Sequence, residues 1–170
     1  KSIASSGGRV KAIKCPNGLT YSRKVIDELT DWLKTYYSAK GLAWMKCANN
    51  TLDGGISKFF DEPLKSKIIQ ELSISNDEII FIIGDEQDIV LPALGALRLR
   101  LGNKENLIDQ TKWAPVWVVD FPLVEWNKEH ERWDALHHPF TSPNLEDLEL
   151  IDTQPRTVRS LGYDIVMNGY

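Results

Sequence analysis

Two of the three histidines in this 170-residue chain are adjacent, His137 and His138, inside Ala135-Leu136-His137-His138-Pro139-Phe140-Thr141. Neighbouring residues on a strand point to opposite faces. If a regular strand runs through both imidazoles, only one enters a given site, which disfavours a metal centre built on the pair. From the dipeptide alone, a core histidine bonded to a backbone carbonyl is the plainer reading. Asp164, in Tyr163-Asp164-Ile165-Val166-Met167-Asn168-Gly169, is a lone carboxylate near a strand start, where surface and turn residues are common. His137, His138 and Asp164 together offer too few ligands for a metal-dependent hydrolase. Asp120 and Glu125 flank Phe121-Pro122 and read as strand-end residues. Cys15 and Cys47 lack metal-ligand spacing and read as reduced, small apolar side chains. The glycine pairs Gly7-Gly8 and Gly54-Gly55 are followed by no Lys-Ser/Thr and form no G-x-G-x-x-G, so no phosphate-cradling loop is present.

The elements that must position these residues fall into two groups. Arg9–Lys14 reads as a strand closed by the Asn17-Gly18 turn. Val25, Ile26, Leu29, Trp32, Leu33 and Tyr36 then make the apolar stripe of a helix ending before Gly41. Leu42–Cys47 and Ile56–Phe60 are expected to form a hairpin. Asp61 caps a second helix with Pro63 in its first turn. Ile79–Ile83 reads as a central strand. Ile89–Leu101 reads as a third helix starting near Asp88, and Gly102–Asn106 as a polar break. The order β, α, β, β, α, β, α describes an α+β, two-layer domain with helices on one face of a mainly antiparallel sheet. Its expected extent is 1–110.

Residues 111–170 have a different composition. Four of the six tryptophans, Trp113, Trp117, Trp126 and Trp133, lie here. Val116–Trp126 reads as one strand bent at Pro122, Arg132–His137 as its hairpin partner and Tyr163–Asn168 as a third strand. The acidic stretch 142–157 is too long for a simple connection. Trp32 on a helix stripe and Trp44 in an apolar strand read as core rather than as base-stacking platforms.

Composition is that of an ordinary globular chain, 42% apolar and 26% charged, with a formal net charge of −4. That balance leaves no basic footprint for nucleic acid. No apolar run nears the roughly 20 residues that span a bilayer, and the N-terminus lacks a signal-peptide plan. No membrane association is expected, and the cytoplasm is the expected compartment.

The strings Trp113-Ala114-Pro115-Val116-Trp117-Val118-Val119-Asp120-Phe121-Pro122, His137-His138-Pro139-Phe140-Thr141 and Tyr163–Tyr170 resemble the bacterial-type aspartyl-tRNA synthetases, class II enzymes. Upstream, Arg9–Ile13, Ala39–Trp44 and Leu94–Arg98 resemble the domain inserted in those synthetases and shared with the B subunit of tRNA amidotransferase. Together the strings cover nearly the whole chain as an interior piece of such an enzyme.

The resemblance implies that 111–170 supplies strands of a class II catalytic sheet. It also implies an intact parent that joins L-aspartate to tRNA with ATP, through aspartyl-adenylate, as a homodimer. His137 is then the residue that contacts the amino acid, in a loop that closes over aspartate, and His138 supports that loop. Asp164 falls near the ATP phosphates, where a hard oxygen ligand suits Mg2+, and its usual partner is a Glu following Tyr170. No residue is assigned as catalytic, because aminoacyl activation needs positioning and charge stabilisation more than proton transfer. The 170 residues alone are expected to be inactive. The rival expectation is a noncatalytic tRNA-contacting module of an amidotransferase-like assembly.

Overall fold

The computed structural model describes residues 2–169. They divide into two compact units, Lys1–Asp109 and Gln110–Tyr170. In the first unit the order is α1 (Ser2–Ser5), β1 (Arg9–Cys15), α2 (Arg23–Tyr37), β2 (Ala43–Ala48), β3 (Thr51–Asp53), α3 (Glu62–Glu71), β4 (Ile79–Asp85) and α4 (Gln87–Lys104). The sheet order is β1-β4-β2-β3, and every neighbouring pair is antiparallel. The α+β class and the antiparallel sheet therefore hold.

The central strand explains the layers. Ile79, Phe81 and Ile83 of β4 pack with Ile26, Leu29 and Leu33 of α2 and with Val90, Ala93, Leu94 and Leu97 of α4. Ile80, one position out of phase, joins Met45, Cys47, Leu52 and Ile74 in a second core, against which Ile68 and Ile69 of α3 pack. A strand apolar at every position is one covered on both sides. The expected two layers, with helices on one face only, are thus corrected: α3 closes the opposite face.

Local chemistry sets the boundaries. The Ser22 side chain accepts from the Val25 amide to cap α2, and the Asp61 side chain accepts from the Leu64 amide to cap α3. Asn49 and Asn50 both hold positive φ, 51° and 56°, as a two-residue turn of the type I′ class requires. They pair β2 with Thr51–Asp53 rather than with Ile56–Phe60. The latter segment is a 3-10 turn at Ser57–Phe59. The left-handed Gly54 and Gly55 fold the chain back so that the Ile56 amide donates to the Trp44 carbonyl at 3.2 Å, and that bond takes the place of strand pairing. Helix α4 runs through Pro92 and on to Lys104. The anticipated break at Gly102 is overridden because Glu105, at its C-terminal edge, is held by Asn17 and Tyr21.

In the second unit, β5 (Pro115–Val118) pairs with β8 (Asp164–Met167), and β6 (Val124–Asn127) forms a hairpin with β7 (Arg132–Ala135). The expected single bent strand 116–126 is instead two strands in different sheets. They are separated where Asp120 adopts φ 57°. The stretch 142–157 contains 3-10 turns at Leu145–Leu150 and Pro155–Thr157. Val158 is the one buried hydrophobic side chain of this unit among the described residues. No helix among the described residues is long and apolar enough to cross a membrane.

Candidate functional site

Strand β7 ends at Ala135, so His137 and His138 lie in the loop beyond it. The strand alternation anticipated for the pair does not apply, because the chain leaves the extended conformation before reaching them. They are separated by partners instead. The His137 ring meets Phe121 edge to face, with centroids 4.6 Å apart and planes at 75°. The His138 Nδ1 accepts the Phe140 amide at 3.2 Å, its ring packs on Phe140 at 5.1 Å, and its carbonyl accepts the Thr141 amide at 2.9 Å. Both histidines are exposed. The buried, carbonyl-bonded core histidine that the dipeptide alone favours is therefore not what forms. His138 ties its own loop, while His137 presents an imidazole with no hydrogen-bond partner among the described residues.

The backbone around Phe121 is braced. The Phe121 carbonyl accepts the Ser160 amide at 2.7 Å, the Val158 carbonyl accepts the Leu123 amide at 2.9 Å, and the Leu123 carbonyl accepts the Leu136 amide at 3.2 Å. The last bond anchors the residue before His137 to the segment that carries Phe121. Arg159 secures the same region. Its guanidinium donates to Asp147 Oδ2 at 2.8 Å, to Asp147 Oδ1 at 2.9 Å and to Glu146 at 2.9 Å, and it lies 3.9 Å from Asp120. The Arg159 guanidinium and amide bonds hold the Asp147 carboxyl down at about 2. Paired fork contacts of this kind fix direction as well as distance.

Asp164 opens β8 opposite Val118 and is exposed. Phe121 follows Val118 by three residues, which limits the separation of their Cα atoms to about 11 Å. The segment 118–121 thus borders both Asp164 and His137 without placing them in contact. Among the described residues no group of three or more His, Cys, Asp or Glu side chains gathers to hold a metal. Asp164 has the right donor chemistry for Mg2+, but one exposed carboxylate is not a site. The residues present do not hold the ion by themselves.

The sequence did not single out Phe121 as a partner for His137, nor Arg159 and Asp147 as a clamp. The only signal available was an Arg following an acidic loop. Of the two carboxylates read as strand-end residues, Asp120 lies at the break after β5, whereas Glu125 lies inside β6, paired with Asp134. The first unit carries its own polar focus. Asp85 is buried, and its Oδ1 accepts Lys40 Nζ at 2.6 Å and the Glu86 amide at 2.9 Å. The hydrogen bond from the Lys40 ammonium, followed by that from the Glu86 amide, holds the pKa of that carboxyl below the usual carboxylate range. This arrangement joins the end of β4 to the loop after α2.

Similarity to known proteins extends across both units. Residues 1–94 match the GAD domain family. The chain is 46% identical over 170 residues to the aspartate–tRNA ligase of Halalkalibacterium halodurans, covering 99% of this chain and 28% of the relative. It is 45% identical to the aspartate–tRNA(Asp/Asn) ligase of Bacillus anthracis, covering 99% and 29%. To the enzyme of the same description from Bacillus cytotoxicus it is 46% identical over 166 residues, covering 97% and 28%. The chain spans under a third of the length of the curated relatives it matches. A family match over more than half its residues, on a sheet whose two faces those residues build, places the chain in the GAD domain family.

Proposed function

We propose that this chain is an interior part of an aspartate–tRNA ligase, comprising an inserted domain at 1–110 and part of a class II catalytic domain at 111–170. The observation that carries the reading is the identity of 46% extending over 99% of the chain. A noncatalytic GAD module accounts for residues 1–94 alone, and the likeness beyond them, through His137 and Asp164, favours the ligase.

In this reading the intact enzyme is a cytoplasmic homodimer that binds L-aspartate, ATP and tRNA. A carboxylate oxygen of aspartate attacks the α-phosphorus of ATP. The bond to pyrophosphate breaks, and a ribose hydroxyl at the tRNA terminus then takes the aspartyl group from the adenylate. His137 hydrogen-bonds the amino acid from its exposed, unpartnered imidazole. His138 shapes the loop through its bonds to Phe140 and Thr141. Asp164 would supply one of the oxygen ligands to the Mg2+ of the MgATP substrate, together with ligands from outside this chain's described residues. Rate acceleration of this kind comes from holding the two substrates in line, which rigid neighbours of the binding groups supply.

The test is aspartate-dependent exchange of pyrophosphate into ATP, followed by tRNA charging, by the purified full-length protein carrying this sequence. Exchange that responds to aspartate and to no other amino acid is expected. A well-folded full-length protein that binds tRNA without exchange would favour the noncatalytic module instead.

A further inference from the structure

We propose that Phe121 is a positioning residue for His137, fixing the imidazole in the orientation that meets the aspartate substrate. The inference rests on the ligand role of His137 proposed above. An exposed histidine with no hydrogen bond of its own ordinarily samples several rotamers, and each lost rotamer costs binding energy when a ligand arrives. Here one ring edge is seated on another, with centroids 4.6 Å apart at 75°. That geometry favours aromatic pairs through their quadrupoles. The seat is itself immobilised. Phe121 is half-buried, its carbonyl is bonded to Ser160, and the next residue bridges to Arg159. Leu136, directly before His137, is tied to Leu123, directly after Pro122, so both rings are carried on backbone that is cross-bonded beside them. The ring contact leaves the imidazole nitrogens unpartnered among the described residues, which is what a ligand-binding orientation needs.

The experiment uses the full-length enzyme with F121L, F121Y, H137A and the F121L/H137A double variant, read by aspartate-dependent pyrophosphate exchange. F121L is expected to raise the KM for aspartate about 3- to 10-fold, with kcat changed less than about twofold. F121Y, which keeps the ring, should restore the parent KM. In the H137A background F121L should add nothing further, because it acts only through the imidazole. An F121L penalty of the same factor in both backgrounds, or an unchanged aspartate KM in F121L, overturns the proposal. The His137 ring-proton resonances give a second readout independent of activity. They should move on F121L and stay near the parent positions in F121Y, and unmoved resonances in F121L contradict the seat even if that variant is destabilised. Should H137A itself leave the aspartate KM unchanged, the ligand role of His137 fails, while the resonances still report whether Phe121 holds the ring.

Discussion

The Tyr21 hydroxyl donates a 2.7 Å hydrogen bond to Oε1 of Glu105, whose other oxygen accepts Asn17 Nδ2 at 2.6 Å. The two bonds fasten the end of α4 to the turn after β1, across 84 and 88 residues of chain. With Asn17 first and Tyr21 second, they hold the Glu105 carboxyl down at about 2. A carboxylate stabilised in the folded state contributes stability that is fully present above its unfolded value of about 4.3 and is lost as pH falls toward the folded value. Glu105→Gln is therefore expected to cost about 1.5–3 kcal/mol near neutrality. It should also flatten the loss of thermal stability between about pH 4.5 and about 2. Melting curves of both proteins across that range check the sign.

Gly55 holds φ 51°, and a Cβ there would overlap the Trp44 carbonyl oxygen that accepts the Ile56 amide. Gly55→Ala must strain the backbone or break that bond. A loss of more than about 2 kcal/mol is expected. Gly41→Ala is the control, since nothing lies within 4 Å of a Cβ at that position. Urea titration of the two variants separates a site-specific clash from a general intolerance of substitution.

Arg159 anchors a loop rather than a core. Arg159→Lys keeps the charge but loses the fork that reaches both oxygens of Asp147. Amide exchange within 144–161 should quicken several-fold, while the amides of Ile79–Asp85 remain as protected as before. Exchange that rises equally in β4 would show that Arg159 supports global stability instead.

The 170-residue polypeptide should itself be unevenly protected. Among the described residues, all of the buried hydrophobic side chains but Val158 lie in the first unit, and the paired ribbon β5–β8 exposes Val116, Trp117, Ile165 and Met167. Two-stranded ribbons with so little cover are marginal. Dilute protein should show slow exchange at Ile79–Asp85 and fast exchange at Asp164–Met167. Positioning of both substrates is most of the catalysis, and among the described residues Asp164 gathers with no metal-holding group of three or more side chains, so the same polypeptide should show no aspartate-dependent pyrophosphate exchange above a mock preparation.

Much of the first unit was legible in the sequence because its signals are local. The stripe from Val25 to Leu33, the Asp61 cap and the unbroken apolar run Ile79–Ile83 each report their own element. The run Ile79–Ile83 hinted at partial cover on a second face, but which element supplies it was not legible, since the apolar residues of α3 do not say which face they meet. The end of α4 escaped for a similar reason. Gly102-Asn103 reads as a break, yet Glu105 is held by residues far upstream. In the second unit the candidate residues were visible as a string, but their arrangement was not. A positive φ at Asp120 splits what reads as one strand, and the end of β7 at Ala135 removes the alternation argument for the histidines. The pairing of His137 with Phe121 joins residues well separated along the chain, and no local pattern encodes it.

The central claim is that His137, not His138, meets the amino acid. The most direct measurement is steady-state pyrophosphate exchange by full-length His137→Ala and His138→Ala, with thermal stability confirmed for each. Loss of a hydrogen bond to a charged ligand should reduce kcat/KM for aspartate about 10- to 150-fold in His137→Ala. His138→Ala should lose less, because its Nδ1 is engaged with the Phe140 amide inside the loop. A well-folded His137→Ala enzyme with an unchanged dependence on aspartate would contradict the account.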